Sequence, residues 1–159
     1  MDANRYSFED LIGIMARLRA PDGCPWDREQ THQSIKEYFL EEVYEFLEAV
    51  EEGSVPHMRE ELGDLLLQVV FHAQMASESD HYDIHDVIHE LSDKLVRRHP
   101  HVFGEVAVAD SGEVVVNWEA IKNAEKGKES RKSRLDGIPV NYPALMKAKK
   151  LQVRAGDIM

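Results

Sequence analysis

Residues 41–64 read EEVYEFLEAVEEGSVPHMREELGD, and this stretch decides the fold. It contains two acidic triplets of one form, Glu41-Glu42-x-x-Glu45 and Glu60-Glu61-x-x-Asp64. Residues three and four apart share a helix face, so each triplet gathers its carboxylates into one patch. Between them, Gly53-Ser54-Val55-Pro56 is a helix stop followed by a start, because Gly suits the position just past a C-terminus and Pro the first turn of the next helix. The stretch therefore predicts a helical hairpin. At a rise of about 1.5 Å per residue, Glu45 stands roughly 10 Å before the turn, and Glu61 and Asp64 roughly 8–12 Å after it, so the patches are level. Facing carboxylates repel and raise one another's pKa unless cations lie between them, and hard divalent ions suit an all-oxygen ligand set. The expectation is a magnesium-type site.

A second reading accounts for part of the pattern. Glu41, Glu45, Glu48 and Glu52 also form a stripe opposite Phe39, Val43, Phe46 and Val50, as on the wet side of any amphipathic helix. Yet Glu42 lies off that stripe, and Lys36 is the only base beside seven acids between Glu37 and Glu52, so ion pairing within the helix does not explain them.

The 159 residues amount to one domain with a buried core. The net charge of −11 is uneven: residues 1–121 carry 9 Lys/Arg against 26 Asp/Glu, and residues 122–159 carry 10 against 4. An acidic body argues against binding nucleic acid through its phosphates, but leaves room for a small polyanion held through metal ions. Cys24 is the only cysteine, which excludes an internal disulfide and a cysteine-based zinc cluster. With neither a signal-peptide pattern nor a long apolar run, the expectation is a cytoplasmic protein without a membrane partner.

Ser7 and Asp10 have capping-box spacing and open a first helix to about Arg19. Residues 20–27 read as a loop, in which Trp26 is either a plug on the core, the preferred reading, or a stacking surface for a ligand ring. Ser34 with Glu37 signals a second helix to about Glu52. A third, from about Pro56 to Ala76, is apolar almost all round from Leu65 to Phe71, which calls for a central position and a second subunit. Asp83 caps a fourth, ending at His99-Pro100; Lys94, Arg97 and Arg98 in its last turns suit the helix C-terminus, while Lys94 and Arg98, four apart on one face, also stand as a phosphate clamp requires. Ser111 opens a fifth through Trp118 and Lys122, with a short strand at Val114-Val115-Val116 as the alternative. The expected domain spans residues 1–126, followed by a basic linker or tail, 127–159, with a short helix from Leu145 to Arg154. Glu29-x-x-His32 and Glu78-x-x-His81 have di-iron spacing but fall at helix edges, so a di-iron carboxylate protein is the weaker alternative.

Taken together, Cys24-Pro-Trp-Asp27, Glu41-Glu42-x-x-Glu45, Glu61-Leu-Gly-Asp-Leu-Leu66, Arg97-Arg-His-Pro-His-Val-Phe103 and Asn117-Trp-Glu-x-Ile-Lys122 resemble, in order, the blocks of the MazG family of all-α nucleoside triphosphate pyrophosphohydrolases. The resemblance covers roughly residues 5 to 155. It implies an all-α, four-helix-bundle-like fold and a homo-oligomer. The implied reaction is hydrolysis of nucleoside triphosphates to monophosphate and pyrophosphate, a housecleaning of the nucleotide pool. It implies magnesium ligands at Glu42, Glu45, Glu61 and Asp64, with manganese as the substitute ion, and an acidic neighbour at Glu41, the candidate proton acceptor. Substrate-binding positions are implied at Lys94, Arg98, Trp118 and Lys122. MazG proteins commonly have two such domains, and this chain resembles the first plus the linker. That leaves a natural short form or a truncation as alternatives, and a nucleotide-binding module with little turnover as the second functional reading.

Overall fold

The structure, a computed structural model, describes residues 5–125, 138–139 and 142–156, and among them it is all helical. The expected linker from residue 127 to Gly137 lies outside the described residues. The chain divides into two compact units, Met1–Asp93 and Lys94–Met159.

In the first unit, α1 (Phe8–Arg19) opens with the expected capping box: the Ser7 hydroxyl accepts from the Asp10 N–H, and the Asp10 carboxylate accepts from the Ser7 N–H at 2.7 Å. The loop that follows contains a short helix, α2 (Pro25–Glu29), which the loop reading did not foresee. It is reached by a tight turn in which a Cβ on Gly23 would stand 2.2 Å from the Leu18 carbonyl oxygen, so only glycine fits. Arg19, its side chain 7% exposed, ties this loop down. It donates to the carbonyls of Asp27 and Gln30, pairs with Glu78 at 2.6 Å, and lies over the Phe71 ring. Trp26 does not plug the core as expected; it is 53% exposed and tilted against Tyr38.

Helix α3 (Lys36–Glu52) starts without the expected side-chain cap. The Ser34 hydroxyl accepts instead from the Thr31 N–H and donates to Gln30, and Ile35, fully buried, takes the cap position. Helix α4 (Val55–Ser77) follows the predicted turn, with Gly53 left-handed at φ 67° and Pro56 in the first turn. The two form an antiparallel hairpin, and α1 packs on α4. Met15, Ile35, Val70, Phe71, Ala73, Met75 and the first residue of α5 (Ile84–Arg98) make the core. Removing a large apolar side chain of this kind from water contributes about 1.5–3 kcal/mol. The second half of α4 is thus the buried half, whereas Leu62, Leu66 and Leu67 nearer the acidic triplet remain exposed. Asp83 caps α5 through the N–H groups of His85 and Asp86.

The second unit takes the end of α5, a single turn α6 (Pro100–Phe103) absent from the sequence reading, α7 (Ser111–Ala124) and α8 (Ala144–Gly156). Asp110 caps α7 by accepting from the Glu113 N–H, and Val114–Val116 are helical, which disposes of the strand alternative.

Candidate functional site

The hairpin turn sets the register of α3 against α4, and that register brings together carboxylates from both triplets. Glu42, Glu45 and Glu61 each offer an oxygen, and the three oxygens lie within 4.8 Å of one another. Glu45 is exposed, Glu42 half-buried and Glu61 buried at 5% exposure. Burial first, then the charges of Asp64, Glu45, Glu61 and Glu41, hold the Glu42 carboxyl above its ordinary range. Burial, then Glu45, Asp64 and Glu60, do the same for Glu61, with His57 pulling the other way. Asp64 therefore acts on both while standing outside the triad of oxygens. Glu41 is exposed on α3 beside Glu42 and is felt there as the weakest of four charges.

His57 was not singled out from the sequence. Its Nε2 stands 3.3 Å from Glu61 Oε1 and its Nδ1 3.4 Å from Glu52 Oε2, bridging the end of α3 and the start of α4. The readable signal was the four-residue spacing from His57 to Glu61. Among the described residues, two buried side-chain atoms lack a hydrogen-bond partner: Glu61 Oε2 and Gln68 Oε1. A buried polar atom left unpaired costs about 1–3 kcal/mol and asks for a water, an ion or a ligand. Gln68 was legible as the one polar residue inside the run from Leu65 to Phe71. Further along the same helix, His72 lies edge to edge with His32, Nδ1 to Nδ1 at 2.7 Å, and tilted against Phe39 of α3.

The donors at the hairpin are all oxygen, close together, partly buried and lacking enough positive charge of their own. That set fits a hard divalent cation, which would lie among Glu42, Glu45 and Glu61 with Asp64 beside them.

In the second unit, Arg98 donates through Nε and Nη2 to Glu125 at 2.9 and 2.6 Å, and Arg97 donates to the same carboxylate. The Trp118 ring lies against two cations, the Arg98 guanidinium at 5.0 Å and the Lys122 ammonium at 4.5 Å, while Lys122 also pairs with Glu119. Hydrogen bonds from Arg98 and Arg97 hold the Glu125 carboxyl down to about 2. Lys94 is half-buried on α5. Three of the four expected substrate-binding residues, Arg98, Trp118 and Lys122, thus form one stack, and its anchor Glu125 was missed, because no local spacing links residues 27 apart.

Comparison with known proteins agrees in kind. Residues 30–103 match the family model of the MazG nucleotide pyrophosphohydrolase domain. The chain is 50% identical over 151 residues to the nucleoside triphosphate pyrophosphohydrolase/pyrophosphatase MazG of Thermotoga maritima, covering 95% of this chain and 57% of that protein. It is 53% identical over 147 residues to the uncharacterized protein YabN of Bacillus subtilis, covering 92% of this chain and 30% of that one. The chain therefore spans less than two thirds of these relatives. Among solved structures, a mazG-related protein from Thermotoga maritima superposes with a TM-score of 0.62 at 26% identity, over 72% of this chain and 98% of that one.

Proposed function

We propose that this chain, whose residues 30–103 match the MazG nucleotide pyrophosphohydrolase domain model, hydrolyses nucleoside triphosphates to the monophosphate and pyrophosphate with a magnesium ion bound at the hairpin. The observation that carries the reading is the set of three carboxylate oxygens within 4.8 Å, one of them on a buried Glu61 whose other oxygen has no partner. Glu42, Glu45, Glu61 and Asp64 hold the ion, with manganese as its substitute. When bound, the ion supplies the positive charge that polarises phosphoryl oxygens and acidifies a water. Glu41, exposed beside this set, takes the proton of the attacking water. The water oxygen bonds to the α-phosphorus as the bond from that phosphorus to the α–β bridging oxygen breaks, and the electron pair leaves with pyrophosphate. Lys94 and Arg98 bind phosphate oxygens, and Trp118 with Lys122 contacts the nucleotide. Because Arg98 is already held by Glu125, its guanidinium is pre-oriented, and reaching phosphate costs it little side-chain freedom. The proposed role is housecleaning of the cytoplasmic nucleotide pool.

Incubation with ATP and Mg²⁺, followed by product analysis, tests this directly. AMP and pyrophosphate in equal amounts are expected, and a survey of other NTPs and dNTPs then ranks the substrates. Calorimetric binding of ATP with no AMP after prolonged incubation replaces the enzyme with a nucleotide-binding module.

The proposal includes a homodimer, since Leu62, Leu66 and Leu67 on α4 and Leu40, Tyr44 and Leu47 on α3 lie exposed. Light scattering is expected to give at least twice 18.2 kDa. Leu66, 38% exposed, and Val70, 2% exposed, then separate assembly from folding: Leu66→Glu yields a folded monomer, and Val70→Glu unfolds the chain. A Leu66→Glu protein of unchanged mass removes this face from the interface.

A further inference from the structure

The two unpartnered buried atoms lie on one helix, seven residues apart, which for α4 is two turns and roughly 10 Å of axial rise. Glu61 Oε2 is accounted for by the cation set. Gln68 Oε1 is not, since its residue is 6% exposed and none of the four carboxylates assigned to the ion lies beyond Asp64. Its position along the helix is informative. Gln68 stands one turn past Asp64 and one turn before His72, on the shared face of α4. Both ends of that face touch α3: Glu61 meets Glu42 and Glu45, and His72 meets Phe39. The amide therefore sits in the seam between the two helices, one turn from the carboxylates, with a buried acceptor that has no partner. Native interiors retain such a group when a ligand or a fixed water completes it.

We propose that Gln68 reads the nucleoside: the sugar and base of the substrate extend from the carboxylates along the α3–α4 seam toward His72, and Gln68 Oε1 accepts a hydrogen bond from an N–H or O–H of that nucleoside. This rests on the functional reading above, because it takes the triphosphate to be held at the hairpin. A carbonyl acceptor discriminates for groups that donate, namely a ring N–H or exocyclic amino group of the base, or a sugar hydroxyl. A nucleotide lacking that donor leaves the buried oxygen unpaired and is selected against.

The test uses Gln68→Leu, close in shape without the amide, and Gln68→Met as a more adaptable partner should leucine pack badly. Removing one hydrogen bond of this kind raises KM for ATP about tenfold while kcat stays within about threefold, since the carboxylates are untouched. The melting temperature of the ligand-free protein stays level or rises, because an unpaired buried oxygen has been removed. A purely structural amide gives the opposite sign. Inorganic tripolyphosphate, which has no nucleoside, binds wild type and variants equally by calorimetry with Mg²⁺. The dATP arm locates the donor: equal sensitivity of ATP and dATP to the substitution assigns it to the base or the 3′-hydroxyl, and insensitivity of dATP assigns it to the 2′-hydroxyl. Unchanged KM for every nucleotide, loss of tripolyphosphate binding, or failure of both variants to fold overturns the proposal. The underlying reading fails separately, if Glu61→Gln binds Mn²⁺ as wild type does by electron paramagnetic resonance.

Discussion

Glu61 on the hairpin and Glu125 at the end of α7 are the same side chain put to opposite uses. Glu125 receives hydrogen bonds from two arginines, which hold its carboxyl down to about 2, so its charge is already answered. Glu61 is buried among other carboxylates, and burial with their charges pushes it up. Sequence shows acids in both places. What differs is whether an arginine is brought to them, and the difference separates a structural ion pair from a site with unanswered negative charge. The Arg98–Glu125 pair, with side chains 13% and 18% exposed, is already complete within the second unit. An unanswered cluster costs stability in the free protein and is released by binding a cation.

The largest expected effect comes from removing a member of the unanswered cluster. Glu42→Gln or Asp64→Asn should lower pyrophosphate release by more than about 100-fold, beyond the usual cost of losing a residue that only supports a ligand. Helix content should be unchanged, and the melting temperature of the metal-free protein should hold or rise, because a like charge has gone. Full activity in either variant would place the ion elsewhere. Glu125→Gln is the matched control, with helicity of the second unit as its readout.

Next in size is the response to the ion itself. A cation that binds only the folded chain stabilises it by about 2.7 kcal/mol at one hundred times its Kd. Titrating Mg²⁺ into wild type should raise the melting temperature progressively, and EDTA should reverse the rise. In Glu61→Gln the titration should be flat; a rise equal to that of wild type would show that the ion does not use this carboxylate.

The smallest effects are those of pH, and they differ in sign between the two regions. Glu42 and Glu61 are raised by burial and neighbouring carboxylates, so in metal-free protein their contribution to stability is present below the ordinary carboxylate range and is lost as pH rises through their folded values. Glu125 is depressed to about 2, so its contribution is present above its ordinary value of 4.5 and is lost as pH falls from there toward 2. Denaturation followed by circular dichroism between pH 3 and 7 should therefore show wild type losing a contribution below about pH 4.5 that Glu125→Gln lacks. Glu42→Gln should lose part of the gain that wild type shows on mild acidification from neutral pH. Identical pH profiles for all three proteins would mean that neither environment is as described.

Legibility followed the range of the interactions. The Ser7–Asp10 box, the Gly53 stop, Pro56 and the Asp83 cap are local, and each stands where spacing put it. The facing of Glu42, Glu45 and Glu61 was also legible, because a short turn between two helices leaves little freedom of register. Ser34 failed as a cap although its spacing to Glu37 was right, since Thr31 and Gln30 compete for the same hydroxyl. Trp26 failed as a core plug because a one-turn helix in its loop turns the ring outward, leaving it 53% exposed.

The amino-acid sequence by itself determined the helical hairpin, the two acidic triplets and the course of the longer helices, because caps, turns and the 3.6-residue period act over a few residues. Only the tertiary structure decided which charges are answered. Arg19 reaches Glu78 and Arg98 reaches Glu125 across separations of 59 and 27 residues, and no residue reaches Glu61 Oε2 or Gln68 Oε1 among the described ones. Electrostatic partnership falls off with distance in space and not along the chain, so it appears only once the chain has folded.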